Sequence, residues 1–225
     1  MTTKAERTRE LLVGTALRLF RERGYEATTM RLIAREAGVS QGSAYYYFEG
    51  KDALVHELYV QIQQEHRLRA LPLLQDGAGL ADNLRTVLHT GLDTMSPYHA
   101  FGSTMLHVAL SRSSSVSPFS EESAVARAAA TSLMREVLAV SRGTRGASVH
   151  PRLAELLWLG YLGVTLHWVT DPSADQRRTR VLVDGAAPII ARTVTLSRLP
   201  VGRGLAADVF SLMDRLASPI ARSDA

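Results

Sequence analysis

SQGSAYYYFEGKDAL, residues Ser40 to Leu54, puts three tyrosines in a row in a chain that has only seven. Consecutive side chains on a helix point about 100° apart, so Tyr45, Tyr46 and Tyr47 cannot all enter one core. Ala44 and Phe48, four apart, use up the inward face of so short an element. Gln41 with Tyr45, Gly42 with Tyr46, and Ser43 with Tyr47 then fan across its sides and outer face. Glycine costs roughly 1 kcal/mol in a helix interior, which is hard to account for at Gly42 unless something must come close to the backbone there. Just upstream, ATTMRLIAREAGVS offers Thr28 or Thr29 as the N-cap of a short helix whose inward face is Met30, Ile33, Ala34 and Ala37. Gly38 suits a left-handed turn residue, Val39 follows as an apolar plug, and Ser40 caps the next helix. Two short helices joined by AGVS form a helix-turn-helix.

Outward from this stretch the chain reads as helix throughout, with no sustained period-two pattern. A first helix spans about 5–23, with Leu12, Ala16, Leu19 and Phe20 as its apolar stripe and Gly24 as its stop. A fourth runs from Lys51 to about Ala70. Further helical patterns cover 80–96, 98–111, 118–141, 150–171, 173–198 and 204–217. Pro118 fits just inside a helix start. Ser173-Ala174-Asp175-Gln176 reads as a capping box, and Pro188 is expected to kink the helix after it. The Ser-rich run at 111–120 reads as a loop. The fold expected is all-α: an N-terminal three-helix unit with a helix-turn-helix over 1–51 and a larger helical domain over 52–225.

The 225 residues include no cysteine, which excludes disulfides and thiolate metal sites and fits a reducing cytoplasm. The N-terminus carries charges of both signs and does not read as a signal peptide. LAELLWLGYLGVTLHWV, from Leu153 to Val169, contains Glu155 and His167 and is at the short limit for a membrane span, so it reads as a buried or interface helix. Net charge is +4, and residues 1–51 hold nine of the 26 Lys and Arg against six of the 22 acids, leaving 17 against 16 elsewhere. The basic excess therefore sits in the first quarter, mild support for a polyanionic partner there. Lys51, in the first turn of its helix, can clasp a phosphate together with the helix N-terminus.

The run from Gly24 to Leu54 resembles the DNA-binding domain of the TetR family of bacterial regulators: TTxRxIAxxAGVS, a short helix ending in tyrosines and Phe48, then Lys51 and Leu54. The resemblance implies that the helix begun by Ser40 lies in the major groove of a pseudo-palindromic operator. It further implies that Thr29, Arg31, Gln41, Gly42, Ser43, Tyr45, Tyr46 and Tyr47 touch DNA and that Lys51 binds phosphate. Ala44 departs from the larger aliphatic residue usual at its position. The family implies a homodimer and an internal cavity for a small-molecule effector, with the protein cytoplasmic and associated with the nucleoid when DNA-bound.

Helix 150–171 is apolar nearly all round and must be covered on every side. Together with helix 173–198 it is assigned the subunit interface, through Leu153, Leu157, Gly160, Val164, Trp168, Val181 and Ile189. Apolar faces interrupted by polar groups nominate Tyr59, His89, Leu92, Met95, Phe101, Met105, His107, Met134, Trp158 and Tyr161 as cavity residues, which suits a mostly apolar ligand. A regulator without an effector, or one that activates, is the alternative. An enzyme on a helical scaffold is the remote one. The seven histidines form no His-x-x-x-His pair with a neighbouring Glu, and neither a phosphate-binding glycine loop nor a GxSxG elbow is found, so no catalytic residue, metal or cofactor is expected.

Overall fold

The structure, a computed structural model, describes residues 3–109, 114–146 and 149–217, without the side chains of 103–105, 107–108, 200–201 and 216–217. Among these residues ten α-helices and three short 3-10 turns follow one another, and no strand is formed. The first three helices, α1 (Lys4–Arg23), α2 (Met30–Glu36) and α3 (Gln41–Tyr47), build one compact unit. A capping box starts α1: Thr3 Oγ1 accepts from the Glu6 amide at 3.2 Å and Glu6 Oε2 from the Thr3 amide at 2.5 Å. Gly24 ends it at φ 82°, and Gly38 makes the turn between α2 and α3 at φ 68°. Thr29 caps α2 by accepting from the Leu32 amide, and Ser40 caps α3 by accepting from the Ser43 amide at 3.0 Å.

Only Ala44 of α3 is fully buried, with Phe48 just beyond the helix, so the inward face is as narrow as the sequence implies. Arg9 locks the far end. Its guanidinium lies 4.7 Å over the Phe48 ring, donates to the Tyr47 carbonyl at 3.4 Å and pairs with Glu57 at 2.7 Å.

The remaining helices are α4 (Lys51–Ala70), α5 (Leu80–Met95), α6 (His99–Ala109), α7 (Ala124–Val140), α8 (Leu153–Thr170), α9 (Arg177–Leu196) and α10 (Pro200–Ala217). Helix α4 packs against α1, α5 and α7, while α8 is flanked by α5, α6, α7 and α9. Helix α6 reaches the N-terminal unit, stacking Phe101 on Phe20 of α1 with centroids 6.0 Å apart.

Three helix starts differ from the sequence reading by four residues or more. Helix α7 begins at Ala124 rather than Pro118, because serine side chains hold the preceding turns. Ser120 Oγ donates to the Ser115 carbonyl and accepts from the Ser123 amide. Helix α9 begins at Arg177, and Ser173 does not head a capping box. Asp175 and Gln176 take positive φ, 52° and 48°, and Asp171 serves the helix start instead. Its carboxylate accepts from the amide and hydroxyl of both Ser173 and Thr179. Burial opposes the charged form, but these hydrogen bonds outweigh it and hold the Asp171 carboxyl well below the usual carboxylate range. Helix α9 continues unbroken through Pro188. Helix α10 begins four residues before the expected Gly204. The first residues of the expected Ser-rich loop, 111–113, fall outside the described set.

Candidate nucleic-acid surface and internal cavity

The outer face of α3 is what the tyrosines are left with. Tyr46 is 84% exposed and Tyr45 48%, while Tyr47 lies on the flank, its ring edge-on to Tyr46 at 5.2 Å. Ser40, Gln41 and Gly42 are exposed on the same surface, Ser43 is half-buried, and Thr29 and Arg31 at the start of α2 are exposed beside them. A Cβ added to Gly42 would meet nothing within 4 Å, so no neighbour inside the chain demands glycine there.

Lys51 is less available than its place at the start of α4 suggests. Its Nζ donates to the Tyr25 carbonyl at 2.9 Å, sits 4.1 Å from the Tyr25 ring centroid and lies 3.7 Å from Glu26. An ammonium has three donors, so one stays available once the Tyr25 carbonyl and Glu26 are served, on a side chain 24% exposed. Beside it, Asp52 accepts from the hydroxyls of Tyr25 and Ser115 together. One carboxylate thus ties the turn after α1 to the loop that leads into α7.

That loop also walls a cavity of about 410 Å³ between α4, α6, α7 and α8. Of the sequence candidates, Tyr59, Met95, Phe101, Trp158 and Tyr161 line it. Leu92 and Met134 do not; both are buried in the general core. His89 does not either, because it faces α9 and bonds Asp184 at 2.9 Å. The side chains of Met105 and His107 fall outside the described set.

Sequence reasoning missed Ile62 and Gln63 on α4, Tyr98, the loop residue Phe119, Arg127 on α7, and the second tryptophan, Trp168, as cavity residues. Burial lifts the Tyr59 hydroxyl to about 12, and the same cause does so at Tyr161, so both stay protonated donors at neutral pH. The Gln63 Oε1 is buried without a partner among the described residues. Behind Tyr161, His66 is buried with Nε2 donating to the Val87 carbonyl at 2.9 Å and Nδ1 unpartnered; burial lowers its pKa.

The face of α8 turned to solvent is not the one expected. Leu153, Leu157, Val164 and Trp168 are buried in the chain's own core, because neighbouring helices cover their side of α8. Gly160 is exposed, together with Leu159, Gly163 and Leu166. On α9, Val181 and Ile189 are exposed, with Leu182 beside them. The rim of the cavity reaches this face at Leu159, Gly163 and Leu166. Among the described residues no cluster of His, Cys, Asp or Glu is placed to hold a metal, and no helix is long and apolar enough to cross a membrane.

A capped helix-turn-helix on a helical body with an apolar cavity is the architecture of a one-component regulator, and comparison with known proteins agrees. Residues 12–58 match the family model described as bacterial regulatory proteins, tetR family, and residues 83–207 match the one described as tetracyclin repressor-like, C-terminal domain. The chain belongs to the TetR family of DNA-binding transcriptional regulators.

It is 30% identical over 159 residues to the HTH-type transcriptional repressor KstR2 of Rhodococcus jostii, covering 71% of this chain and 65% of that one. It is 28% identical over 85 residues to the uncharacterized HTH-type transcriptional regulator YhgD of Bacillus subtilis, covering 38% and 44%. The matched segments thus span less than two thirds of either relative. Among solved structures, FadR from Bacillus subtilis in complex with stearoyl-CoA superposes with a TM-score of 0.62 at 15% identity, over 81% of this chain and 97% of that one. The TetR regulator from Nitrosomonas europaea gives 0.62 at 19%, with the same coverage of each.

Proposed function

We propose that the protein is a homodimeric repressor that a mostly apolar small molecule releases from a pseudo-palindromic double-stranded operator, acting in the cytoplasm. Residues 1–51 read DNA and residues 52–225 bind the effector and the second subunit. Thr29, Arg31 and residues Ser40 to Tyr47, apart from buried Ala44, meet the operator, with Lys51 turning its remaining donor to a phosphate.

The observation that carries this reading is the double duty of α4. Lys51 and Asp52 stand at its DNA end, and Tyr59, Ile62 and Gln63 wall the cavity further along. Asp52 and Tyr59 are seven residues apart, about 10 Å along the axis. Phe101 adds a second link, since it lines the cavity and stacks on Phe20 of α1. The relative KstR2 is named a repressor, and FadR was solved with stearoyl-CoA, which favours repression and an apolar effector here.

Two recognition helices must reach successive major grooves roughly 34–36 Å apart, so a ligand that favours another spacing weakens binding. Only a ligand preferring the DNA-incompetent state can do so. The subunit interface is assigned to the solvent face of α8 and α9, through Leu159, Gly160, Leu166, Val181, Leu182 and Ile189. A subunit docked there would also cover the rim of the cavity.

Selecting duplexes from a random pool with the purified protein, in parallel with Tyr46→Ala, tests the reading. An inverted repeat enriched by the parent and lost or altered in the variant is expected. Binding without sequence preference, falling only with salt, would overturn it.

A further inference from the structure

The cavity is apolar on nearly every side, yet among the described residues one charged residue lines it, and that residue is a cation. Arg127 lies in the first turn of α7, and no Asp or Glu lines the cavity. Its Nη1 donates to the carbonyls of Pro118 at 2.8 Å and Ser120 at 2.9 Å, which fix the guanidinium at the wall formed by the loop. Guanidinium has five N–H donors, and Nε and Nη2 have no partner among the described residues. Among the described residues no carboxylate pairs with it either; the ion pairs there involve other cations, such as Arg67 with Glu136 and Lys51 with Glu26.

The placement adds to the charge. Ser123, Ala126 and Arg127 line the cavity from the N-cap and first turn of a 17-residue helix, the end where unpaired backbone N–H groups and the helix dipole favour an anion. Glu121 and Glu122 precede the helix, but both are exposed and neither lines the cavity. Arg127 is half-buried, so its free N–H groups can meet a ligand at the cavity wall; an uncharged apolar ligand would give them no acceptor, and an amine would meet a like charge.

We propose that the cavity takes an anion with a hydrocarbon body, its acidic group seated on Arg127 and its hydrocarbon part lying against Trp158, Trp168 and Phe101. This rests on the reading of the cavity as an effector site and names the chemistry of what enters it. A volume of about 410 Å³ lies within the roughly 300–1,000 Å³ of small-molecule sites. A free carboxylic acid and an acyl thioester of coenzyme A both join an acidic group to a hydrocarbon chain, the first presenting its single carboxylate and the second one of its several phosphates.

The chain's two tryptophans, Trp158 and Trp168, both line the cavity, so intrinsic fluorescence reports occupancy of this site without DNA. The full-length protein is titrated at neutral pH with decanoate, decanol, decylamine and decanoyl-CoA. Decanoate or the thioester is expected to bind at least about tenfold more tightly than decanol, the worth of one charge-assisted hydrogen bond, and decylamine least. Arg127→Met should erase that advantage and Arg127→Lys should keep most of it, with circular dichroism and melting confirming that each variant folds.

Preference for decanoate over the thioester would identify a free acid as the source, and the reverse a coenzyme A ester; both support an anionic ligand. Equal binding of decanol and decanoate by the parent protein would overturn the inference and leave the cavity an effector site for neutral ligands, whatever the variants do. No response to any of the four would remove both the inference and the effector-site reading beneath it.

Discussion

The carboxylate of Asp52, shared by the hydroxyls of Tyr25 and Ser115, lends itself to a double-mutant cycle. Tyr25→Phe removes one hydroxyl and keeps the ring under Lys51 and against Phe20, whose centroid is 5.0 Å away. Tyr25 is buried, so the lost bond is one to a charged group in a mostly dry setting, worth about 1.5–3 kcal/mol in general. Asp52 is half-buried and keeps its bond from Ser115, so the expected cost falls at the low end, about 1–2 kcal/mol. In an Asp52→Ala background the hydroxyl has already lost its acceptor, and the same substitution should cost almost nothing.

The expected coupling is therefore about 1–2 kcal/mol, read from urea midpoints by far-UV circular dichroism across the four proteins at unchanged slope. A coupling below about 0.5 kcal/mol, the scatter of independent sites, would refute the view that this bond clamps the N-terminal unit to α4.

Three further outcomes are expected. Gly42→Ala, which meets no neighbour, should raise stability by about 0.5–1 kcal/mol in thermal melts while altering the sequences recovered by duplex selection. Phe101→Leu should leave operator binding intact but weaken its release by a cavity ligand, since the ring contact to Phe20 is lost while α2 and α3 are untouched; unchanged release in a gel-shift titration would argue against the Phe20–Phe101 link.

Acid should destabilise the fold through His66. Its folded pKa lies below the ordinary value, so the unfolded chain binds the proton first and stability falls as pH drops below about 6.5. His56, whose pKa burial also lowers, acts in the same sense. His66→Phe should flatten the dependence of the urea midpoint between pH 8 and 5, range set by the ordinary histidine value of about 6.5.

What the chain discloses in one dimension depends on how local the cause is. Thr29, Gly38 and Ser40 act within a turn of their own position, so the helix-turn-helix is legible residue by residue. The Asp171 cap spans eight residues to Thr179 and is masked by the more obvious Ser173. Helix α8 is hydrophobic on all sides, so periodicity cannot say that Leu157 turns inward while Leu166 turns out; that depends on where α5, α6, α7 and α9 pass. Half of the cavity candidates reached the wall because large aromatic residues cluster there. Arg127 had no periodic signal to mark it, since only the folded loop brings the Pro118 and Ser120 carbonyls to its guanidinium.

Gly42 has a wider consequence. The fold leaves open space where its side chain would be, so stability alone favours replacing it, and on the proposed reading it is the approach of DNA that favours glycine there. A library screened for thermal tolerance would drift away from glycine here and yield sturdier proteins with altered targets. If Gly42 meets the operator as proposed, one codon at this blank position would change what the protein reads while the scaffold stays as it is.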